Sequence, residues 1–390
     1  MKVYLDNSAT TAVDTDVINE MLPLFSLFYG NASSFHSYGR QAKKILEDSR
    51  QKTASFIKAD ADEIIFTGCG TEADNIALFG ALDAIGSKGR IITTKIEHHA
   101  VLHSFKRLEN LGYEAVYLNA DKNGVISLDE LKNSITDNTL LVSIMHANNE
   151  MGAIEPIKEA AQIISEINKT RKEKIVFHMD AVQTAGKIPI DVKDLGIDLL
   201  AMSAHKFNGP KGIGALYVKS GTKISPVMFG GHHENNLRPG TENVPYIAGL
   251  AKALEVNINN IDENYKSAAL LKDKLQSGIL KSIPDISING DSKTNLPYIL
   301  NAGFNYIEGE ALLLKLDMAG IAVSTGSACA SGSSEPSHVL SAMGIDPVSA
   351  QGAIRFSFNH CNTEKEIDYV LEVLPKIVEE LRKMSPLKKV

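Results

Sequence analysis

Lys206 is the residue of this chain best placed to do covalent chemistry. It lies between two apolar runs, Leu199–Met202 and Gly214–Val218, and follows the polar residues Ser203 and His205. Apolar runs bounded by turn residues predict two buried strands, so we expect Lys206 where the first strand ends. A lysine held away from bulk water loses its proton readily and can form a Schiff base, whereas most loop lysines are simply solvated. Both interpretations stay open at this point.

The turn Thr67–Ala73, with the sequence TGCGTEA, could bind a phosphate. It joins a predicted strand to a predicted helix, and the amides at a helix N-terminus favour anions. The same glycine spacing matches the dinucleotide fingerprint, with Glu97 near the end of the next strand as the ribose ligand. A nicotinamide-dependent dehydrogenase is therefore one alternative, and a tight turn without a ligand is another.

Polar side chains also follow other predicted strands at the same sheet edge. Asp180 ends the strand Ile175–Met179, Gln183 comes three residues later, and His98 follows an earlier strand. Asp180 could cap a helix or face a ligand. An aspartate beside a pyridinium nitrogen and a lysine that forms an imine are the pair that pyridoxal phosphate requires, and a histidine there could stack on the ring or move protons. The pairing of Asp180 with Lys206 favours this cofactor over a nicotinamide.

Cys329 lies among small polar residues, in the run STGSACASGSS, whereas Cys69 and Cys361 are expected to be small buried hydrophobic residues. A thiol on such a loop can move between a substrate and a partner if its thiolate is accessible. Arg355 lies inside an apolar strand and needs an anionic partner, which could be a substrate carboxylate or an internal salt bridge. Three cysteines without a CxxC motif, and histidines without ligand spacing, predict neither a disulfide framework nor a metal site.

Length and composition narrow the class of protein. The chain has 390 residues, of which 44% are hydrophobic and 22% charged, so two or three domains with large cores are expected. The net charge of −7 without a basic stripe disfavours a nucleic-acid partner. Without a signal pattern or an apolar run of membrane-spanning length, we expect a cytoplasmic protein with reduced thiols and no membrane contact.

Strands and helices alternate between residues 63 and 218. Strands are predicted at Glu63–Thr67, Arg90–Lys95, Ala115–Leu118, Leu140–Met145, Ile175–Met179 and Leu199–Met202, and helices at Thr71–Ile85, Ala100–Leu111, Leu128–Ile135 and Pro156–Asn168. This alternation predicts a mostly parallel sheet with helices on both faces and a ligand at the carboxyl ends of its strands.

Regions on either side of this alternation complete the predicted architecture. Asp16–Phe28 and His36–Ile57 are predicted helices, and the loop Phe229–Thr241 precedes one long helical region, Val244–Leu280. A smaller α/β domain follows, completed by the N-terminal strand Val3–Leu5. The cleft between the two domains is the expected active site.

With Lys206, Asp180, His98 and Cys329 placed, the sequence closely resembles the NifS/IscS-type cysteine desulfurases of the class-V aminotransferase family. The similarity covers nearly the whole chain, through YLDNSATT, GNASSFHSYG, FTGCGTEADN, IEHHAV, MHANNEMGAI, HMDAVQTAGK, SAHKFNGPKGIGALYV, RPGTEN, STGSACASGSSEPSHVL and IRFSF.

The resemblance implies an α/β protein with the pyridoxal-phosphate-dependent transferase fold type I. A large domain over residues 15–258 would contain a mostly parallel seven-stranded sheet and bind the cofactor. A smaller C-terminal α/β domain, formed by residues 1–14 and 259–390, would carry the catalytic cysteine loop.

The resemblance also implies a role for each candidate. Lys206 would bind pyridoxal phosphate through an imine, Cys329 would be the nucleophile, and His98 would stack on the ring and move protons. Arg355 would bind the substrate carboxylate. The other implied contacts are Asp180 and Gln183 at the ring, Gly70, Thr71, Ser203 and His205 at the phosphate, Asn149 at cofactor and substrate, and Thr241 at the phosphate of the neighbouring subunit in a homodimer.

The implied reaction converts L-cysteine to L-alanine and leaves a persulfide on Cys329. An iron–sulfur scaffold protein is the implied sulfur acceptor. Alternatives are a selenocysteine lyase, another pyridoxal-phosphate-dependent lyase or aminotransferase of this fold, and a non-catalytic dimeric scaffold.

Overall fold

The computed structural model describes residues 1–291, 294–326 and 337–386. Its strands are β1 (Val3–Tyr4), β2 (Ile64–Thr67), β3 (Arg90–Thr94), β4 (Glu114–Leu118), β5 (Thr139–Ser143), β6 (Val176–Asp180), β7 (Leu199–Ser203), β8 (Gly214–Val218), β9 (Ile286–Ile288), β10 (Ile299–Phe304), β11 (Ile321–Ala322) and β12 (Ala353–Ser357). Its α-helices are α1 (Thr15–Met21), α2 (Ser37–Phe56), α3 (Gly70–Ile85), α4 (His99–Asn110), α5 (Leu128–Ser134), α6 (Ile157–Asn168), α7 (Val192–Leu195), α8 (Val244–Asn259), α9 (Ile261–Ser282), α10 (Gly309–Met318), α11 (His338–Ala342), α12 (Pro347–Gln351) and α13 (Glu364–Met384).

A seven-stranded sheet in the order β2-β8-β7-β6-β5-β3-β4 forms the centre of the larger part of the protein. The neighbours from β7 through β4 run parallel, and β8 runs antiparallel to both β2 and β7. The predicted mostly parallel sheet is therefore confirmed. Its parallel strands bring the segments that follow β3, β6 and β7 to one edge.

Helices cover both faces of this sheet, because successive side chains of a strand point to opposite sides. Phe177 and Met179 of β6 pack with residues of α2, α6 and α8, whereas Val176 packs with residues of α3 and α4. His178 and Asp180 lie two and four residues after Val176, so their side chains point to the same face of the sheet, the one covered by α3.

The smaller part contains two further sheets. Strands β12, β10 and β9 form an antiparallel sheet, and β1 pairs in parallel with β11. The N-terminal strand thus lies beside a strand more than 300 residues away, with Val3 opposite Ile321. Helices α9, α10 and α13 contribute to the core that covers these sheets.

Two predicted helices were too long. The region Val244–Leu280 is two helices, interrupted at Asn260, whose φ of −124° and ψ of 13° leave the α-helical region. The break lets α8 pack on α1 and α2, while α9 packs on α13. The helix predicted over Asp16–Phe28 ends at Met21 and continues only as a 3₁₀ turn over Leu22–Phe25, because Pro23 cannot donate an interior helical hydrogen bond.

Among the described residues, no helix combines the length and apolar character needed to cross a membrane.

Candidate active site

A cavity of about 260 Å³ lies at the carboxyl edge of the large sheet. Side chains from distant parts of the sequence line it: Ser8, Ala9, Cys69, Gly70, Thr71, Asp74, His98, Met145, Ala147, Asn149, Asp180, Val182, Gln183, Ser203, His205, Lys206 and Arg355. Segments after β2, β3, β6 and β7 supply most of them, as expected for a ligand site in a parallel sheet.

Lys206 is held at the cavity by the N-terminal segment. It ends the short 3₁₀ turn Ala204–Lys206 that directly follows β7. Its Nζ donates to the carbonyl oxygens of Ser8 and Ala9 at 2.6 and 2.9 Å. These carbonyls direct the amine into the cavity, so Lys206 is not a solvated loop lysine.

Asp180 is a buried carboxyl at the end of β6. Its Oδ1 accepts a hydrogen bond from the Val182 N–H at 2.8 Å. Burial, reinforced by the Asp74 carboxyl, raises the pKa of Asp180 to about 7, although the Val182 hydrogen bond, His178 and Lys206 all lower it. A cationic ring nitrogen beside Asp180 would stabilise the carboxylate form.

A neutral pair supports Asp180 from the α3 face. His178 Nε2 lies 3.4 Å from Asp74 Oδ1, and His178 Nδ1 lies 2.9 Å from Ser143 Oγ. Burial lowers the pKa of His178 to about 4 and raises the pKa of Asp74 to about 8. Burial thus favours the uncharged form of both groups.

The opposite end of the cavity fits a phosphate. Helix α3 begins at Gly70, where a Cβ atom would come within 2.7 Å of Val182 Cγ2 and 3.3 Å of Ser203 Cβ. Only glycine leaves room there for a ligand to approach the helix N-terminus. Ser203 Oγ is buried and has no hydrogen-bond partner among the described residues. A phosphate oxygen at this position would accept hydrogen bonds from the Ser203 hydroxyl and from the backbone amides at the start of α3, so the residues present fit pyridoxal phosphate.

His98 caps helix α4 from the edge of the cavity. Its Nδ1 accepts from the Ala100 N–H at 3.1 Å, which places the proton of the neutral ring on Nε2. Burial, with a further contribution from Lys206, lowers the pKa of His98 to about 4. The ring is therefore uncharged at neutral pH, and its Nε2 is the atom that can exchange a proton.

Arg355 forms the internal salt bridge that the sequence allowed, and its role toward a substrate carboxylate stays a prediction. Its guanidinium forms a salt bridge with Asp6 Oδ1 at 2.8 Å and donates to the Asn149 carbonyl oxygen at 3.0 Å. It also lines the cavity, and its buried Nε has no partner among the described residues. Arg355 is paired to Ser324 through its backbone, with N to O distances of 2.7 and 3.2 Å.

Several predicted residues lie elsewhere. Thr241 is exposed and does not line the cavity within this chain. Cys329 lies outside the described residues. Cys361 is exposed, and Cys69 is half-buried at the cavity, where its Sγ caps α3 by accepting from the Glu72 N–H at 3.4 Å. The prediction that both are buried hydrophobic residues was therefore wrong, because Cys69 lies in the bend between β2 and α3 at the cavity and Cys361 lies in an exposed turn after β12.

Glu97, the ribose ligand of the nicotinamide alternative, is fully buried. Its Oε1 accepts from the Met145 N–H at 2.7 Å, so it braces the segment after β5 and does not face a ligand. In the described part of the chain, no cluster of three or more His, Cys, Asp or Glu could hold a metal ion.

Three residues that line the cavity, Ser8, Ala9 and Asp74, were not predicted from the sequence. Ser8 and Ala9 act through carbonyl oxygens, which no residue pattern reveals. Asp74 had a detectable signal, because it lies on the buried face of α3 with Ala73 and Ala77. A carboxyl on such a buried face must either pair with another polar group or bind a proton and so lose its charge.

The chain is similar to known proteins over nearly its whole length. Residues 3–370 match the model of the family described as Aminotransferase class-V. A cysteine desulfurase of Nostoc sp. is 50% identical over 99% of this chain and 95% of its own length, and a cysteine desulfurase IscS of Dictyoglomus turgidum is 48% identical over 99% and 97%.

Solved structures agree with these relatives. A protein titled NifS-like has a TM-score of 0.92 and 40% identity, covering 98% of this chain and all of that one. The nicotinamide alternative is therefore wrong. The chain belongs to the class-V aminotransferase family and, within it, to the cysteine desulfurases, which are pyridoxal-phosphate-dependent enzymes.

Proposed function

We propose that this protein converts L-cysteine to L-alanine and takes the sulfur onto Cys329 as a persulfide. One observation supports the proposal: a single cavity gathers an amine, a buried aspartate, a helix N-terminus beside a hydroxyl, and an arginine, and neither that hydroxyl nor the arginine Nε has a hydrogen-bond partner among the described residues. A pyridoxal-phosphate enzyme that acts on an amino acid must bind the cofactor's aldehyde, ring nitrogen and phosphate and the substrate's carboxylate. The amine, the aspartate, the helix N-terminus with its hydroxyl and the arginine are suited to these four tasks in that order.

Specific residues would hold the cofactor. Lys206 would bind it covalently, and Asp180 and Gln183 would contact its ring nitrogen and phenolic oxygen, with His98 stacked on the ring and Asn149 at its edge. The phosphate would lie against Gly70, Thr71, Ser203 and His205. When bound, pyridoxal phosphate withdraws electrons from the substrate Cα, which acidifies the Cα proton and weakens the bond from Cβ to sulfur.

Substrate binding and proton transfer would be carried out by Arg355, Lys206 and His98. Arg355 binds the carboxylate of L-cysteine through its guanidinium, which fixes the orientation of Cα. Lys206 Nζ, released when the substrate amine takes its place on the cofactor, would take the Cα proton, because the carbonyls of Ser8 and Ala9 hold this amine at the cavity. His98 moves protons through Nε2.

Sulfur transfer is completed by Cys329. Its thiolate attacks the substrate sulfur, a sulfur–sulfur bond forms, and the bond between Cβ and sulfur breaks with its electron pair left on carbon. That carbon gains a proton and leaves as L-alanine, so one cysteine and one thiol give one alanine and one persulfide. Ser324, five residues before Cys329 in the sequence, is paired through its backbone to Arg355.

The direct test is mass spectrometry of the protein after addition of L-cysteine. We expect an added sulfur on the peptide that contains Cys329 and an equal amount of alanine. Cys329→Ser should keep the yellow cofactor but form neither product. Persulfide on Cys69 or Cys361 in place of Cys329, or alanine release by Cys329→Ser, would show that the nucleophile is wrong.

We also infer that the protein works as a homodimer. Large apolar side chains are exposed along residues 22–38 and in the loop before Thr241, namely Leu22, Phe25, Leu27, Tyr29, Phe35, Tyr38, Met228 and Phe229. Phe35 is 95% exposed and Phe229 is 85% exposed, as expected of an interface and not of a solvent-facing surface. A second copy of the chain would cover them and would bring Thr241 to the neighbouring phosphate.

A mixture of two impaired variants tests this arrangement. In a dimer of one Lys206→Ala chain and one Thr241→Ala chain, one site would combine the intact Lys206 with the intact Thr241 of its partner. Cofactor binding at that site should then match the wild type. If Thr241 acts within its own chain, no site in the mixture would be intact.

The acceptor and the compartment follow from the same assignment. We propose that the persulfide sulfur goes to an iron–sulfur scaffold protein in the cytoplasm, where thiols remain reduced.

A further inference from the structure

Lys187 is a buried cation that the reaction does not use. It is 6% exposed and lies seven residues after Asp180, in the turn that follows β6. Its Nζ donates to Gln183 Oε1 at 3.1 Å and lies 5.8 Å from the centre of the Tyr298 ring. Among the described residues, no carboxylate forms a salt bridge with it. Burying a lysine without a counter-charge is costly, so a specific role is expected.

The contact with Gln183 fixes the direction of that side-chain amide. Gln183 Oε1 accepts from Lys187, and Gln183 Nε2 donates to the Ser8 carbonyl oxygen at 3.1 Å. A charged lysine has only donors. Rotating the amide by half a turn would place the amide N–H groups against the Lys187 ammonium, which would be repulsive. Lys187 therefore keeps Nε2 on the side of Ser8 and the cavity.

The same carbonyl joins Gln183 to the cofactor lysine. Ser8 O accepts from Gln183 Nε2 and also from Lys206 Nζ, the latter at 2.6 Å. The amide N–H of Gln183 is thus held beside the amine that would bind the cofactor. A donor at this position suits an anionic oxygen on the ring next to the bound carbon.

We propose that Lys187 is a positioning residue that orients the Gln183 amide so that its N–H faces the phenolic oxygen of pyridoxal phosphate. The proposal rests on the proposed contact between Gln183 and that oxygen. Lys187 does not touch the cofactor and acts only through Gln183.

The electrostatic setting supports this role. Burial, together with Lys206 and Arg355, lowers the pKa of Lys187 to about 7. A cofactor with an anionic phenolic oxygen and a substrate carboxylate add negative charge to this region. Both negative charges favour the protonated form of Lys187, which cannot accept a hydrogen bond from the Gln183 amide.

The test is a double-mutant cycle on cofactor-loaded and cofactor-free protein, with Lys187→Met, Gln183→Ala and both together. Lys187→Met should weaken binding of pyridoxal phosphate about fivefold to tenfold, the value of one lost hydrogen bond. It should also move the pH midpoint of the cofactor's visible absorbance upward, because a donor stabilises the deprotonated phenolic oxygen. In the Gln183→Ala background, Lys187→Met should change neither quantity further.

Lys272→Met is the matched control. Lys272 is also a buried lysine, 3% exposed, whose Nζ donates to the Leu296 carbonyl oxygen at 3.3 Å, and it does not line the cavity. Its loss should lower the melting temperature and leave the affinity for pyridoxal phosphate and the absorbance midpoint unchanged. The same pattern in Lys187→Met would overturn the proposal, and so would additive effects in the cycle.

A second variant covers the case in which Lys187→Met does not fold. Gln183→Glu would meet Lys187 with one carboxylate oxygen and the Ser8 carbonyl oxygen with the other, so the N–H donor is lost and the absorbance midpoint should rise as in Gln183→Ala. Lys187→Gln, whose amide can accept as well as donate, should also raise the midpoint, and an unchanged midpoint in that variant would show that Lys187 does not hold this side chain. If neither Gln183 variant moves the midpoint, the contact of Gln183 with the phenolic oxygen is wrong, whereas persulfide formation at Cys329 would remain intact.

Discussion

Replacing Asp180 by Asn should stabilise the cofactor-free protein at high pH while removing cofactor function. The Asp180 carboxyl is buried, and burial with the neighbouring Asp74 raises its pKa to about 7. An asparagine keeps an oxygen that accepts the Val182 N–H but carries no charge to desolvate. The variant therefore removes the cost of ionising a buried carboxyl and keeps its main hydrogen bond.

The magnitude follows from proton linkage. An unfolded aspartate has a pKa of about 3.9, so the folded protein binds the additional proton between about pH 4 and pH 7. The stabilisation from the protonated carboxyl is complete below about pH 4 and is lost as the pH rises through about 7. A difference of about three between the two pKa values corresponds to about 4 kcal/mol at pH 8, and to about 1.5 kcal/mol at pH 5.

Urea unfolding of the cofactor-free proteins at pH 5 and pH 8 measures this difference. We expect Asp180→Asn to exceed the wild type in free energy of unfolding by up to about 4 kcal/mol at pH 8, and by clearly less at pH 5. Asp198→Asn is the control, since Asp198 also accepts a backbone N–H, from Phe177 at 2.9 Å, but is partly exposed and lies beside Lys219. An equal gain at both pH values, or a loss at pH 8, would refute the argument.

Three further substitutions test other parts of the structure. Lys206→Ala should remove the visible absorbance that borohydride fixes covalently to the protein, whereas a retained covalent adduct would mean that another amine binds the cofactor. Arg355→Lys should raise the KM for L-cysteine about tenfold to a hundredfold with little change in cofactor affinity, because an ammonium cannot form the two-pronged guanidinium contact with a carboxylate. Arg50→Met should lower the free energy of unfolding, measured in urea, by about 3–5 kcal/mol. The guanidinium of Arg50 now pairs with the buried Glu234 carboxylate at 2.7 and 2.8 Å, and the variant would leave that carboxylate without its cation. A loss below about 1 kcal/mol would show that solvent reaches this pair.

The sheet and its edge could be predicted from the sequence because their signals are local. Buried strands appear as short apolar runs, and the predicted strand over Gly214–Val218 has the bounds that the structure shows. The carboxyl ends of parallel strands meet at one edge, so residues that follow β3, β6 and β7 were expected to converge. His98, Asp180 and Lys206 do line one cavity.

Contacts between distant segments could not be predicted in the same way. Lys206 depends on carbonyl oxygens of Ser8 and Ala9, almost 200 residues earlier, and a carbonyl has no residue-type signal. The break at Asn260 depends on which core each half of the region 244–280 packs against, which periodicity alone does not show.

The charges around the cavity are arranged for the loaded enzyme more than for the stability of the empty chain. Burial, together with Lys206 and Arg355, lowers the pKa of Lys187, and burial raises the pKa of Asp180, so the empty cavity disfavours the charged form of both groups. Pyridoxal phosphate has an anionic phosphate, an anionic phenolic oxygen and a ring nitrogen that can carry a proton, and a substrate adds a carboxylate. In the proposed arrangement, the ring nitrogen would face Asp180, the substrate carboxylate would face Arg355, and the phenolic oxygen and the phosphate would face hydrogen-bond donors. A ligand that binds only the folded chain stabilises it in proportion to the logarithm of its concentration over its dissociation constant. The groups that destabilise the empty cavity are therefore the ones that supply affinity, which is why Asp180→Asn is expected to gain stability and lose function through the same atom.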